Sequence, residues 1–524
     1  MKTALKLKAG TQSSNLGLLA AIALGAVLGT GAAPSSSPSR IDALVSARLD
    51  ELGLAPASVC SDSVFVRRAY LDVIGTLPTA TEVKDFLSSP APDKRAALIE
   101  QLLARAEFAD YWAMKWSDLL RVKAEFPINL WPNAAQAYHR WIRTSLRENK
   151  PYDQFVRELL TSSGSNFRVG AVNFYRAMQN KEPQGIAQTV ALTFMGVRAE
   201  NWPTNELAGL TGFFGQVGYK HTAEWKEEII FFESSLATNR LAKGAFFPDG
   251  KPGRFTPDQD PREVFADWLI TPKNPWFTRN IANRVWAWLL GRGIIHEADD
   301  IRPDNPPSNP ELLAYLEQEL IASKYDLKRL YRLILNSETY QRSSLSKTDR
   351  PEGEANFASY PLRRLEAEVL IDALNQITGA TEKYSSAIPE PFTFIPENQR
   401  SIALPDGSIT SPFLELFGRP PRDTGLESER NSRLTAPQRL HLLNSSRVQR
   451  KIEQSRVVQD AAGAGQTPRE TATGIYLVIL SRYPTEAELQ TVEEYARTSG
   501  SKGREAAVDL AWALINSAEF LHRH

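Results

Sequence analysis

The stretch that decides the fold is Phe277 to Ile294, FTRNIANRVWAWLLGRGI. Apolar residues at helical spacing occupy most of its sides, while Asn280, Asn283 and Arg284 follow one stripe at i, i+3 and i+4. A helix this apolar must be enclosed, and a buried amide or guanidinium needs a partner. We predict that the stripe joins an amino-terminal to a carboxyl-terminal helical domain, with a ligand site as the alternative.

The sequence offers candidate ion-pair partners for the charged residues near this stripe. The carboxylate of Asp72 or of Glu366 could form an ion pair with Arg284, and the sequence does not choose between them. Glycines end the helix and leave Arg292 near its carboxyl end, where a cation is favoured. Arg68 and Asp72 lie one helical turn apart, which predicts an internal ion pair. For this pair, as for the stripe, a ligand site is the alternative.

Working outward, helical periodicity dominates the chain and strand-like alternation is scarce. We predict a mainly α fold with two helical domains, residues 40–235 and 263–524, joined by a Gly/Pro-rich connector at 236–262. Short β-hairpins are expected as insertions in 244–261 and 383–412, where turn residues flank short apolar runs.

Two segments share one pattern. Tyr70-Leu71, Pro78-Thr79 and Glu82 recur at identical spacing as Tyr476-Leu477, Pro484-Thr485 and Glu488. Each reads as a helix, a break before proline and a second helix opened by a capping box. The pattern predicts two copies of one unit, with chance convergence of helix-turn-helix sequences as the alternative.

The amino terminus has the pattern of an export signal. Three lysines precede an apolar run of 13 residues from Leu16 to Leu28, which ends in small residues. The run is shorter than the roughly 20 residues that span a bilayer. We expect a cleaved signal peptide at 1–33, a disordered linker at 34–39, a periplasmic or secreted protein and no membrane span in the mature chain; an uncleaved anchor is the alternative.

The amino-acid composition limits which partners and cofactors the protein can be expected to bind. The chain has 524 residues, 42% of them hydrophobic, and its 61 Lys and Arg balance 61 Asp and Glu. This balance argues against nucleic acid as a partner. Cys60 is the only cysteine and the six histidines are dispersed, so we expect no metal site and no cofactor.

A third cluster crowds both signs of charge into Phe417 to Arg430, FGRPPRDTGLESER. Prolines and glycine predict an extended loop, either a solvated surface loop or a binding site. The candidate binding residues in this cluster are Arg419, Arg422, Asp423, Glu427, Glu429 and Arg430.

These strings, together with RRAYLDVIGTLPTATEV at 67–83 and IYLVILSRYPTEAELQ at 475–490, resemble a family of exported planctomycete and verrucomicrobial proteins. Its members join a cytochrome-c-associated amino-terminal domain to a carboxyl-terminal planctomycete domain, both of unknown function. The resemblance covers about residues 40–524, and it implies export and a two-domain layout but no reaction.

One departure from that family bears on chemistry. Many members carry Cys-x-x-Cys-His soon after the segment matching Phe194-Met195-Gly196-Val197, but this chain has neither cysteine nor histidine there. Covalent haem attachment needs those thiols, so electron transfer through such a haem is excluded.

Two functions therefore stay open. The first is an exported, cofactor-free binding or assembly protein that works with other envelope or exported proteins. The second is a hydrolase or lyase acting on extracellular polysaccharide, with acid and base drawn from Asp423, Glu427 or Glu429. Glycoside cleavage would need two of these carboxylates about 5–9.5 Å apart in a groove.

Overall fold

The computed structural model describes residues 39–236, 244–431, 433–463, 466–500 and 503–524. The expected signal peptide and all but the last residue of the expected linker lie outside the described residues. Within the described residues, ten α-helices precede the connector: α1 Arg40–Glu51, α2 Asp62–Val73, α3 Ala80–Ser88, α4 Lys94–Ala104, α5 Ala106–Leu119, α6 Pro132–Arg147, α7 Tyr152–Thr161, α8 Asn173–Arg176, α9 Pro183–Val190 and α10 Thr204–Thr211.

Fifteen further helices are described after the connector, and the prediction of a mainly α fold is confirmed. They are α11 Pro261–Leu269, α12 Phe277–Leu290, α13 Pro310–Ala322, α14 Leu327–Leu335, α15 Glu338–Gln341, α16 Pro351–Ala355, α17 Ala367–Thr378, α18 Pro412–Leu416, α19 Ala436–Asn444, α20 Ser446–Glu453, α21 Arg456–Ala461, α22 Pro468–Leu480, α23 Glu486–Thr498, α24 Arg504–Ile515 and α25 Ala518–Leu521.

The strands are short and lie elsewhere than predicted. β2 (Val217–His221) and β3 (Glu228–Phe232) form an antiparallel hairpin, and β1 (Gly164–Ser165) pairs with β3. The segments 244–261 and 383–412 hold only isolated bridges, Phe246 with Pro252 and Ser385 with Thr410. Their prolines remove the backbone donors that a longer ladder requires.

The core is continuous across the two predicted domains. Buried apolar side chains from Ile41 in α1 to Leu521 in α25 form one cluster. α1 packs against α13, and Arg67 of α2 donates to the carbonyl oxygen of Ile479 in α22 at 2.8 Å. The domain boundaries at 235 and 263 stay a prediction.

The two matching segments adopt the same local structure. α2–α3 and α22–α23 are helix pairs, and Thr79 with Glu82 and Thr485 with Glu488 form the predicted capping boxes. Arg105 binds Glu82 in the first copy, while Arg482 binds Glu488 in the second. The equivalent glutamates, Glu82 and Glu488, are thus bound by arginines that do not occupy equivalent positions in the two copies.

The carboxyl terminus is docked into the fold. β5 (His522–Arg523) pairs with β4 (Arg363–Arg364), and Arg68 donates from Nε to the backbone oxygen of His524 at 2.8 Å. Arg523 is 1% exposed. These contacts place residues 522–524 beside α2, with the Arg523 side chain buried.

Candidate functional site

A buried network of ion pairs surrounds α5. Its Lys115 lies 2.6 Å from Glu366, which also pairs with Arg523. Arg523 reaches Asp72 of α2 at 2.9 Å. Burial alone would raise the pKa of Glu366, but Arg523 and Lys115 hold it well below its ordinary value. The Glu366 carboxylate is therefore charged and paired inside the protein.

Asp118, one turn further along α5, organises the charged loop at 417–430. It pairs with Arg422 at 2.9 Å and with Arg430 at 2.6 Å. Arg430 also binds Glu368 of α17 at 2.8 Å. The loop is thereby held against α5 and α17, and the prediction of a solvated loop is wrong for Arg422 and Arg430, because ion pairs with Asp118 and Glu368 hold their side chains inside the fold.

The three polar side chains of the α12 stripe bind three different partners. Asn280 donates to the carbonyl oxygen of Thr193 at 3.0 Å, which joins α12 to the amino-terminal region as predicted. Asn283 instead bonds both backbone groups of Ile295, in the turn that follows its own helix. Arg284 is 1% exposed and binds Asp299 at 2.7 Å.

Both predicted partners of Arg284 are wrong. The chain after α12 folds back and brings Asp299 to the guanidinium, while Glu427 approaches it at 3.7 Å from the charged loop. Burial alone would lower the pKa of Arg284, but Asp299 and Glu427 raise it overall. Arg284 therefore stays charged.

The predicted pair between Arg68 and Asp72 is also wrong. Arg68 donates to the backbone oxygens of Tyr340 and Arg342 at 2.6 and 2.9 Å. Asp72 accepts from the hydroxyls of Tyr340 and Tyr360 at 2.9 and 2.7 Å. Long-range partners thus displace the local pair that i,i+4 spacing favours.

Arg363, which sequence reasoning missed, takes the position expected for Arg292. It donates to the backbone oxygens of Trp288 and Leu289, the last carbonyls of α12, at 2.9 and 2.7 Å. Gly291 has a φ of +74°, and a Cβ there would meet Arg363. Arg292 is half-buried and forms no ion pair with the described residues.

The carboxylates proposed for catalysis are all engaged. Asp423 lies 2.7 Å from the Lys123 ammonium, and Glu429 accepts from the backbone amide of Thr424 at 2.6 Å. Glu427 accepts from the Trp288 indole at 3.2 Å, and its own backbone amide donates to Asp299. Burial raises the pKa of Glu427. These contacts hold the loop in place.

The charged loop also shapes a groove. Arg419 donates to the backbone oxygens of Asp406 and Ile409, and the Asp406 carboxylate accepts from the amide of Ala124 at 2.8 Å. Segment 404–409 is thereby fixed as a wall. Arg419 is a positioning residue for that wall.

The groove lies between α6 and the segments 394–399 and 404–409, and its volume is about 340 Å³. None of the described residues that line the groove is acidic. The lining residues are Gln136, His139, Arg140, Arg143, Phe394, Ile395, Pro396, Gln399, Leu404, Pro405 and Ile409. It combines an apolar floor with amides and two arginines, the composition of many ligand sites.

Two exposed side chains of the groove, those of Arg140 and Phe394, are available to a ligand. His139 also lines the groove, but its side chain is only 6% exposed and its Nε2 is buried without a hydrogen-bond partner among the described residues; burial lowers its pKa to about 3. Arg140 is exposed and forms no ion pair with the described residues. Phe394 is 68% exposed. The exposed phenylalanine between two prolines was the sequence signal for this site, and we interpreted it as part of a hairpin.

The described part of the chain contains no helix long and apolar enough to cross a membrane. Within the same residues, no group of three or more His, Cys, Asp or Glu is arranged to hold a metal ion.

Comparison with protein families identifies two regions. A model described as PSCyt2, protein of unknown function (DUF1549), matches residues 40–201. A second, described as PSD1, protein of unknown function (DUF1553), matches residues 261–496. No curated protein and no solved structure matches the chain.

The fold and these matches define a mainly helical protein built from two regions of unknown function. The chain belongs to the family that joins a PSCyt2 region to a PSD1 region in this order. The first region contains α6 and the second contains the charged loop and segments 394–409, so both contribute to the groove.

Proposed function

We propose that the protein is an exported, cofactor-free binding protein of the cell envelope, and that its groove holds a segment of acidic polysaccharide. One observation carries this proposal: an exposed arginine without an ion pair to the described residues and an exposed aromatic ring line the same groove, and none of its described lining residues is acidic. Groups of this kind can bind a ligand without catalysing a reaction.

The chemistry of a uronic-acid segment matches this lining. The Phe394 ring offers a flat apolar face on which a sugar ring can stack. The Arg140 guanidinium can bind a carboxylate through two parallel hydrogen bonds. The amide of Gln136 and the amide oxygen of Gln399 can bond hydroxyl groups, while the Gln399 amide nitrogen donates to backbone oxygens.

The hydrolase alternative receives less support. None of its candidate carboxylates, Asp423, Glu427 and Glu429, lines the groove, and each makes a contact that fixes the charged loop. Acid–base cleavage needs two carboxyl groups on either side of the scissile bond. We therefore favour binding over cleavage.

Removing the guanidinium of Arg140 should weaken glycan binding. In calorimetric titrations with an oligogalacturonate, Arg140→Gln is expected to raise the dissociation constant at least about tenfold, which corresponds to about 1.4 kcal/mol. Phe394→Ser should act in the same direction by removing the stacking face. A neutral glucan oligomer should bind the native protein more weakly than the uronate.

The matched control is Arg254→Gln, since Arg254 is exposed and lies outside the groove. Unchanged uronate affinity in Arg140→Gln, or equal affinity for neutral and acidic oligomers, would contradict the proposal. Binding of an acidic peptide that is tighter than binding of the uronate, and that Arg140→Gln weakens, would assign the groove to a protein partner instead.

Export has its own test. We expect protein isolated from the cell envelope to have an intact mass that excludes about residues 1–33, because the short apolar run ends in small residues suited to cleavage. Mass spectrometry of the native protein measures this directly. A mass that includes Met1 would replace cleavage with an anchored form.

A further inference from the structure

α19 and α20 present a surface that the groove does not use. α19 buries only Gln438 and Leu442 among its nine residues, and α20 buries Val448 and Ile452. Ser445 separates the two helices and caps the second. This pair is held to the fold by few side chains, so most of its surface faces solvent.

The surface is strongly basic. Between Arg433 and Ile452 the chain has five arginine or lysine residues and no aspartate or glutamate. Arg433, Arg439 and Arg450 are exposed, and none of them forms an ion pair with the described residues. In a chain whose net charge is zero, such a concentration creates a local positive field.

Two apolar side chains accompany this charge. Leu440 is 57% and Leu443 is 44% exposed, on the same helix as Arg439. An exposed leucine is ordinary by itself, but two beside unpaired cations are typical of a surface that pairs with an amphipathic partner.

A small apolar cavity opens beneath the two helices. Its volume is about 40 Å³, room for a few water molecules or one small aliphatic group, and Phe413, Val448 and Ile452 are among its lining residues. Arg447 and Lys451 also line it, and both bind the buried carboxylate of Glu382, at 2.8 and 3.2 Å. The cavity thus has an apolar interior beside cations.

We propose that the α19–α20 surface, formed by Arg433, Arg439, Leu440, Leu443 and Arg450, docks an acidic segment of a partner protein that carries aliphatic side chains. Charge complementarity supplies the steering, and the two exposed leucines supply an apolar contact. A membrane surface fits less well, because α19 is nine residues long and exposes two leucines and no aromatic residue for insertion.

The test uses the full mature chain and a labelled sixteen-residue peptide that repeats Glu-Glu-Leu-Glu, with binding followed by fluorescence anisotropy. We expect binding that weakens as salt rises from about 50 to about 300 mM. The double variant Arg439→Glu/Arg450→Glu should raise the dissociation constant at least about tenfold. Leu440→Ser/Leu443→Ser should weaken binding while leaving its salt dependence unchanged.

Arg254→Glu is the matched control, because it reverses one exposed charge outside this surface. Circular dichroism confirms that each variant is folded. The proposal is overturned if the native protein does not bind the peptide, or if the double variant binds it equally well. Tighter binding to phosphatidylglycerol vesicles, or self-association that the double variant abolishes, would assign the surface to lipid or to a second copy and also overturn it.

Discussion

Replacing Arg284 by alanine is expected to lower the free energy of unfolding by about 3–5 kcal/mol. The guanidinium is 1% exposed and lies 2.7 Å from Asp299, whose side chain is 2% exposed. Removal of the cation leaves that carboxylate buried without its partner charge, and this uncompensated burial is the main cost. Urea unfolding followed by tryptophan fluorescence measures the change.

Arg292→Ala is the matched control, because Arg292 is half-buried and forms no ion pair with the described residues. Its substitution should change stability by no more than about 0.5 kcal/mol. Asp299→Asn in the Arg284→Ala background should recover part of the loss, since it removes the stranded charge. A loss below about 1 kcal/mol in Arg284→Ala would show that the stripe is not structural.

Local features of the fold were predictable from sequence. Thr79 with Glu82 and Thr485 with Glu488 form capping boxes as their spacing predicts. The Phe277–Leu290 helix ends at Gly291, also as predicted. Caps and amphipathic stripes depend on residues within one or two turns, so a single sequence contains the whole signal.

Long-range partners were not predictable in the same way. Asp72 meets Arg523, which lies 451 positions later in the chain, and Arg284 meets Asp299 only because the chain folds back after α12. Helical spacing favoured the local pair of Arg68 with Asp72, whereas backbone carbonyls from distant turns bind Arg68 instead. Periodicity reports which face a residue occupies and contains no information on what packs against it.

The groove was missed for a related reason. Its two sides come from α6 and from a segment about 260 positions later, so no motif in the sequence spans it. The charged loop was recognised as unusual, and several of its arginines act indirectly, because Arg419 and Arg422 are buried and fix the wall and the loop. The exposed Phe394, which lines the groove, lies in a stretch that resembles a strand.

The docked carboxyl terminus leads to the second large effect. Arg523→Ala is expected to reduce the free energy of unfolding by about 3–5 kcal/mol, because two buried carboxylates, Asp72 and Glu366, lose a shared cation. Lys115 still pairs with Glu366, and two tyrosine hydroxyls still bond Asp72, which places the expected loss nearer the lower limit. The same urea titration measures it.

Arg523→Lys separates charge from geometry. A lysine keeps one positive charge but cannot bond two carboxylates through a planar fork. The free energy of unfolding of Arg523→Lys should therefore lie between that of Arg523→Ala and that of the native protein. Arg456→Ala, at an exposed arginine without an ion pair to the described residues, is the control and should be nearly neutral. If Arg523→Ala were as stable as this control, the network would contribute nothing to stability. If lysine and alanine were equally harmful, the forked guanidinium that bridges Asp72 and Glu366, and not the charge alone, would hold the terminus against α2.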